Sequence, residues 1–278
     1  MKIQILGTAA AEGWPAMFCT CDWCKAARKL GGKNIRTRAS TIIDDQLMID
    51  FSPDAYYHEM NFGLDYTYVH TLLVTHDHMD HLLAEELGNR CPGYGVLDDT
   101  APAMLTVYGN DRVGLRMMEA SHSGLHESFT PVQFKRVVPF APTKVEGGYT
   151  FTALTALHDR RQQCYLYLVE GPDGKKMLYG HDTGYFVEDT MAALKNAHLD
   201  FVMLDCTMGK LRDGNNHMGI EDCFEMKRRL ITNGSVDEHT QMVITHFSHN
   251  GHMLHDELEA AAHPQGFDVA YDGVIYEI

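Results

Sequence analysis

Thr71-Leu72-Leu73-Val74-Thr75-His76-Asp77-His78-Met79-Asp80-His81 carries an apolar run directly into four metal-competent side chains, His76, His78, Asp80 and His81, within six positions. The run predicts a β-strand that ends in a tight loop. Side chains alternate along extended chain, so His76 and His78 share a face, while Asp80 and His81 point to the other side as the chain turns into a helix. One loop can then serve two adjacent metal ions. Scattered surface histidines do not account for an H-x-H-x-D-H spacing at the end of a hydrophobic strand, and the strand context gives the motif its meaning.

The same pattern recurs down the chain. Leu178-Tyr179 leads to Asp182, Val202-Met203-Leu204 to Asp205, Val243-Ile244 to His246, and the run from Phe151 to Leu157 to His158. Groups carried at strand ends converge in one crevice along a sheet edge, however far apart they lie in sequence. Between the strands, Ile220, Cys223, Phe224, Leu230 and Ile231 mark one helical stripe, and Leu254, Leu258 and Ala261 another, closed by Pro264 and Gly266. The end reads as a strand to Ala270, a turn at Asp272-Gly273 and a strand from Val274. Residues 82–139, broken by Gly93, Gly95, Pro102 and Gly109, are expected to cap the crevice. No repeat or linker interrupts the chain, so residues 1–278 are expected to form one domain.

With 278 residues and 45% hydrophobic content the chain can bury a substantial core. Its 38 acidic against 23 basic residues give a net charge of −15, which disfavours nucleic acid as the main partner, while bound cations would still admit a small anion. The first apolar run, Ile3 to Leu6, is too short for a signal-peptide core, and no stretch approaches the roughly 18 apolar residues of a spanning helix. A soluble, cytoplasmic protein without membrane association is expected. Three of seven cysteines crowd into Cys19, Cys21 and Cys24, a spacing that suits a metal better than a disulfide framework.

On these motifs the chain resembles the metallo-β-lactamase superfamily from Leu6-Gly7-Thr8 to Ala270-Tyr271-Asp272-Gly273. The resemblance implies an α/β fold, a four-layer αββα sandwich. It also implies that His76, His78 and His158 hold one divalent ion, that Asp80, His81 and His246 hold the other, and that Asp182 bridges. Such donors suit Zn²⁺ or Mn²⁺, and two ions about 3.5–4 Å apart bring a shared water near neutrality as the nucleophile. Asp205 is expected to orient a ligand histidine.

Three thiolates within six residues can wrap a tetrahedral Zn²⁺ that needs a fourth ligand. His249, three residues after His246, can face the other side of the same loop; Cys206 and Cys223 are alternatives, and a redox pair is the functional rival. The cysteine run together with that histidine resembles the PhnP-like phosphodiesterases of the carbon–phosphorus lyase pathway, which act on a ribose cyclic phosphate. In that resemblance Asp80 and His217 are catalytic, His217 contacting the scissile phosphate and protonating the departing oxygen. Arg160, Arg161, Lys210 and Arg212 could bind a second phosphate or could be solvated surface charges. His122, His126 and His181 receive no role. The expected activity is hydrolysis of a small phosphate diester, cyclic ones included, with an ester or lactone hydrolase and a transfer-RNA 3′-processing nuclease as rivals. A homodimer is compatible with this reading.

Overall fold

A computed structural model of the chain describes residues 1–121 and 130–278. Two seven-stranded mixed sheets face each other. The first holds β1 (Lys2–Gly7), β2 (Ser40–Ile43), β3 (Leu47–Ile49), β4 (Thr71–Leu73), β5 (Leu105–Gly109) and β6 (Val132–Arg136). The second holds β7 (Thr143–Lys144), β8 (Thr150–Thr155), β9 (Tyr165–Glu170), β10 (Lys176–Gly180), β11 (Phe201–Asp205), β12 (Gln241–Thr245) and β13 (Asp268–Val269). The last strand, β14 (Val274–Glu277), returns to the first sheet, giving the orders β14-β1-β2-β3-β4-β5-β6 and β13-β12-β11-β10-β9-β8-β7. Strands β3 to β6 are mutually parallel, as are β10 to β13.

Alternation along the strands separates the layers. In β3, Leu47 and Ile49 enter the core between the sheets, where they join Phe201 and Met203 of β11, and Met48 points outward. In β11, Val202 and Leu204 point outward in the same way. Helices cover both outer faces. α3 (Asp111–Ser121) places Val113 and Met117 over the first sheet at β5 and β6, and α2 (Ala55–Phe62) packs on it near β1. α1 (Asp22–Leu30), α5 (Ile220–Thr232) and α6 (His255–Ala262) cover the second, and α4 (Glu188–Ala193) packs on β8. This is the αββα sandwich. Central strands buried on both faces explain why the sequence there is continuously apolar.

One expectation changes and two gain detail. After His81 the chain forms a 3₁₀ segment, Ala84–Arg90, because Gly88 weakens an α-helix and Pro92 stops one. The described residues of the stretch 82–139 supply β5, β6 and α3, whose apolar side chains join the core on the outer face of the first sheet. The terminal strand, turn and strand are present, and the two strands lie in different sheets. β13 pairs with β12, whereas β14 pairs with β1, so the Asp272-Gly273 turn carries the chain from one sheet to the other, with Gly273 at φ 87°.

Candidate metal centre

The loops after β4, β8, β10 and β12 meet at one edge of the sandwich. His76 Nε2 lies 2.9 Å from His78 Nδ1, and His158 Nε2 lies 3.4 Å from the same atom. On the other side, His81 Nε2 is 3.1 Å from an Asp80 carboxylate oxygen. Asp182 stands between, its Oδ2 at 3.2 Å from His76 Nε2, 2.9 Å from His81 Nε2 and 3.9 Å from His246 Nε2. All seven expected donors are thus brought together, and Asp80 and His81 turn toward Asp182 rather than away from His76. Asp182 and His246 each sit at positive φ, 59° and 61°, which aims a side chain at the end of a strand back into the crevice.

Neighbouring residues set the rings. His81 Nδ1 is 2.7 Å from Asp50 Oδ2, and Asp50 also accepts from Thr75 N, Thr75 Oγ1 and Tyr179 Oη. Thr75 Oγ1 meets His76 Nδ1 at 2.9 Å, Thr207 Oγ1 meets His246 Nδ1 at 2.8 Å, and Asp159 Oδ2 meets His78 Nε2 at 3.1 Å. Each contact occupies the nitrogen turned away from the centre, so the other one is free to bind a cation. Of these four partners the sequence reading found none. Asp50 ends Leu47-Met48-Ile49 just as Asp205 ends its own strand, which was the signal available.

The donors fit divalent ions. His158 Nδ1, His246 Nε2 and Asp182 Oδ1 are buried with no hydrogen-bond partner among the described residues, a costly state unless a cation satisfies them. Tetrahedral binding at about 2.0–2.1 Å separates donors by about 3.3 Å, near the spacings seen. Burial raises the Asp182 carboxyl, but His246, His158, His81 and His76 around it outweigh that and hold it well below its usual range. Burial lowers His81, but Asp80, Asp50 and Asp182 prevail and hold it well above the usual histidine range, the same surplus of negative charge that favours a bound cation.

A second donor cluster lies at the start of α1. Cys19, Cys21, Cys24 and His249 bring one donor atom each within 4.8 Å of one another. His249 Nδ1 is 3.7 Å from Cys19 Sγ and 3.5 Å from Cys21 Sγ, against about 3.6 Å for sulfur and nitrogen on one tetrahedral Zn²⁺. Burial pushes the Cys24 thiol up to about 12, a penalty a bound cation would remove. His249, not Cys206 or Cys223, is the fourth group here; those two are fully buried, with Cys223 Sγ donating to Asp205 O.

A model described as the β-lactamase superfamily domain matches residues 46–247. The chain belongs to the metallo-β-lactamase superfamily. Its fold and donor set make it a metal-dependent hydrolase. Solved structures that share the fold include a diphosphatase from the PhnP family (20% identity, TM-score 0.75, covering 100% of this chain and 97% of that one). Zn²⁺-bound PqqB from Methylobacterium extorquens shares 19% identity at TM-score 0.69 over all of both chains. The short form of human tRNase Z shares 14% at TM-score 0.67, over 100% of this chain and 99% of that one. No curated protein sequence matches the chain. Among the described residues no helix is long and apolar enough to cross a membrane.

In this superfamily member one more histidine reaches the centre. His217 Nδ1 lies 3.0 Å from Asp205 Oδ2 and 3.5 Å from Asp182 Oδ1, and its side chain keeps 19% exposure. Asp205 therefore holds His217 rather than chiefly a ligand histidine, while its oxygens also accept from Asp182 N, Thr207 N and Met218 N. Burial lowers the His217 imidazolium, but Asp205, Asp182 and Asp213 outweigh it and raise the pKa to about 9. His181 is buried, stacked on His246 at 5.1 Å and against Tyr179 at 4.0 Å. Of the four cationic candidates, Arg161 is held by Asp159, Arg212 by Asp222, and Lys210 lies over the Trp23 ring, whereas Arg160 is exposed.

Proposed function

We propose that the protein is a dinuclear metal-dependent phosphodiesterase hydrolysing a small phosphate diester, cyclic diesters such as a ribose cyclic phosphate included. The observation that carries this is His217 in the grip of Asp205 beside the seven donors. Two divalent ions bound by His76, His78, His158, Asp80, His81, His246 and the bridging Asp182 would supply Lewis-acid polarisation of the phosphoryl group and a water of near-neutral pKa. The chain's own residues do the rest. His217 donates its Nδ1 proton to Asp205, which leaves Nε2–H to face a bound phosphoryl oxygen and then the oxygen of the departing alkoxide. Asp205 keeps that ring cationic and fixed, and Thr207 and Asp50 keep the rings of His246 and His81 from rotating out of line.

A lactone also expels an alkoxide, so proton donation serves either substrate; a cationic ring beside the donors has a further partner in the extra anionic oxygen of a phosphate diester, which favours phosphoryl over lactone chemistry. The surplus of acidic residues favours a small substrate over a transfer RNA. The PhnP-family diphosphatase among the structural neighbours adds phosphoric anhydrides to the substrates worth comparing. His217→Ala is the test. A general acid contributes typically 10²–10⁴-fold, so kcat should fall by that order on a diester with a poor alkoxide leaving group and far less on a nitrophenyl diester, whose anion needs no proton. Equal losses on both diesters would remove the acid role, and turnover of a lactone faster than of any phosphate would reverse the assignment.

A further inference from the structure

His217 hangs on a loop that apolar burial does little to hold. Leu211, Arg212, Asp213, Asn215 and Asn216, which lead into it, are exposed. The loop is gathered instead onto one buried carboxylate. Asp222, in the first turn of α5, accepts through Oδ2 from Asp213 N and Gly219 N, both at 3.0 Å. Its Oδ1 accepts from Tyr185 Oη at 2.8 Å and from Arg212 Nε at 3.2 Å. An acidic residue at this helical position ordinarily reaches back to one backbone N–H, that of the residue before the helix, here Gly219. The three further donors have no part in capping.

Their places show what they do. Asp213 and Gly219 bracket His217, so one oxygen pins both ends of the segment that carries the ring. Tyr185 follows Asp182 by three residues, so the other oxygen ties that segment to the loop that carries Asp182. The two loops also meet through backbone. Gly214 N donates to His217 O at 2.9 Å, Gly214 O accepts from Tyr185 N at 2.8 Å, and a Cβ at Gly184 would stand only 2.4 Å from Gly214 O. Burial raises the Asp222 carboxyl, but its four donors outweigh that and hold it below its usual range, so it stays an acceptor. Asp205 fixes the His217 ring at Nδ1, which leaves the backbone beneath the ring to another group. We propose that Asp222 is a positioning residue for the proton donor, fixing the chain on either side of His217 and thereby the placement of the imidazole against the departing oxygen. The proposal rests on the phosphodiesterase reading, in which His217 protonates that oxygen.

Asp222→Asn tests it, because the amide keeps the size of the side chain but puts a donor where one oxygen accepted. At full metal loading, kcat on an alkyl diester should fall about tenfold or more, and far less on a nitrophenyl diester, whose anion leaves without a proton. In a His217→Ala background the same substitution should change alkyl diester turnover by less than about twofold, since a residue that acts through the imidazole then has nothing to place. A merely structural residue would cost both backgrounds and both substrates alike. Should Asp222→Asn fail to fold, Tyr185→Phe, which removes one donor from Asp222 and keeps the ring, is carried through the same comparison. Equal losses on the two diesters, full additivity with His217→Ala, or no loss at all would overturn the proposal, and the phosphodiesterase reading would stand so long as His217→Ala alone shows the leaving-group contrast. Absence of that contrast in His217→Ala itself would remove the reading and the proposal together.

Discussion

Asp50 receives more of the metal centre than its place in the sequence announces. Its carboxylate meets His81 Nδ1, both donors of Thr75 and the Tyr179 hydroxyl, in full burial, and so ties the H-x-H-x-D-H loop to the second sheet. Asp50→Asn keeps the shape and some hydrogen bonds but loses the charge facing His81, so affinity for an active-site ion should fall by about 10–100-fold. Competition against a chelator of known affinity measures this, and an unchanged affinity would show that His81 is held by packing alone. At this scale the donors that the structure brings together were legible because apolar runs lead into metal-competent side chains at His76, His158, Asp182 and His246. Their partners were not. Thr75, Thr207 and Asp159 act through contacts across loops, and a threonine or aspartate in a loop reads the same whether it holds a ring or caps a turn.

Two elements invite separate tests. Cys21 is the N-cap of α1 as well as a donor of the cysteine cluster, its side chain accepting from Cys24 N. Serine preserves the cap, so Cys21→Ser isolates the thiolate. Structural Zn²⁺ contributes an apparent ~10–16 kcal/mol in small peptide hosts, and even a fraction of that should lower Tm clearly while the folded protein keeps most of its activity. Calorimetry and assay on the same sample would show it, and an unaltered Tm would reduce the cluster to unliganded thiols. In α2, His58 Nε2 lies 2.7 Å from Thr37 Oγ1, which itself donates to Asp272, so the neutral ring donates. Burial pushes its pKa down to about 4, against about 6.5 when unfolded. The contribution to stability is therefore complete above pH 6.5 and declines as pH falls toward 4, by up to about 3 kcal/mol. His58→Gln retains a donor without titrating, and urea midpoints across that window should become flatter than in the wild type; parallel curves would place the acid sensitivity elsewhere. The strand and helix patterns were readable from period two and period 3.6, but the split of β13 and β14 between sheets was not, since a turn between two short strands looks alike in either case.

Across the whole molecule, strands that end at one edge of the sandwich bring His76, His158, Asp182 and His246 together from four loops. What the account rests on is a pair of ions sharing Asp182, with a third in the cysteine cluster. Asp182→Ala should abolish turnover in a protein that still folds, since the ions enter a crevice the sandwich has already built. The most direct measurement is elemental analysis of fully loaded wild-type protein beside Cys21→Ser. We predict three ions per chain in the wild type and two in the variant; a loaded wild-type protein with a single ion outside the cysteine cluster would contradict the dinuclear centre.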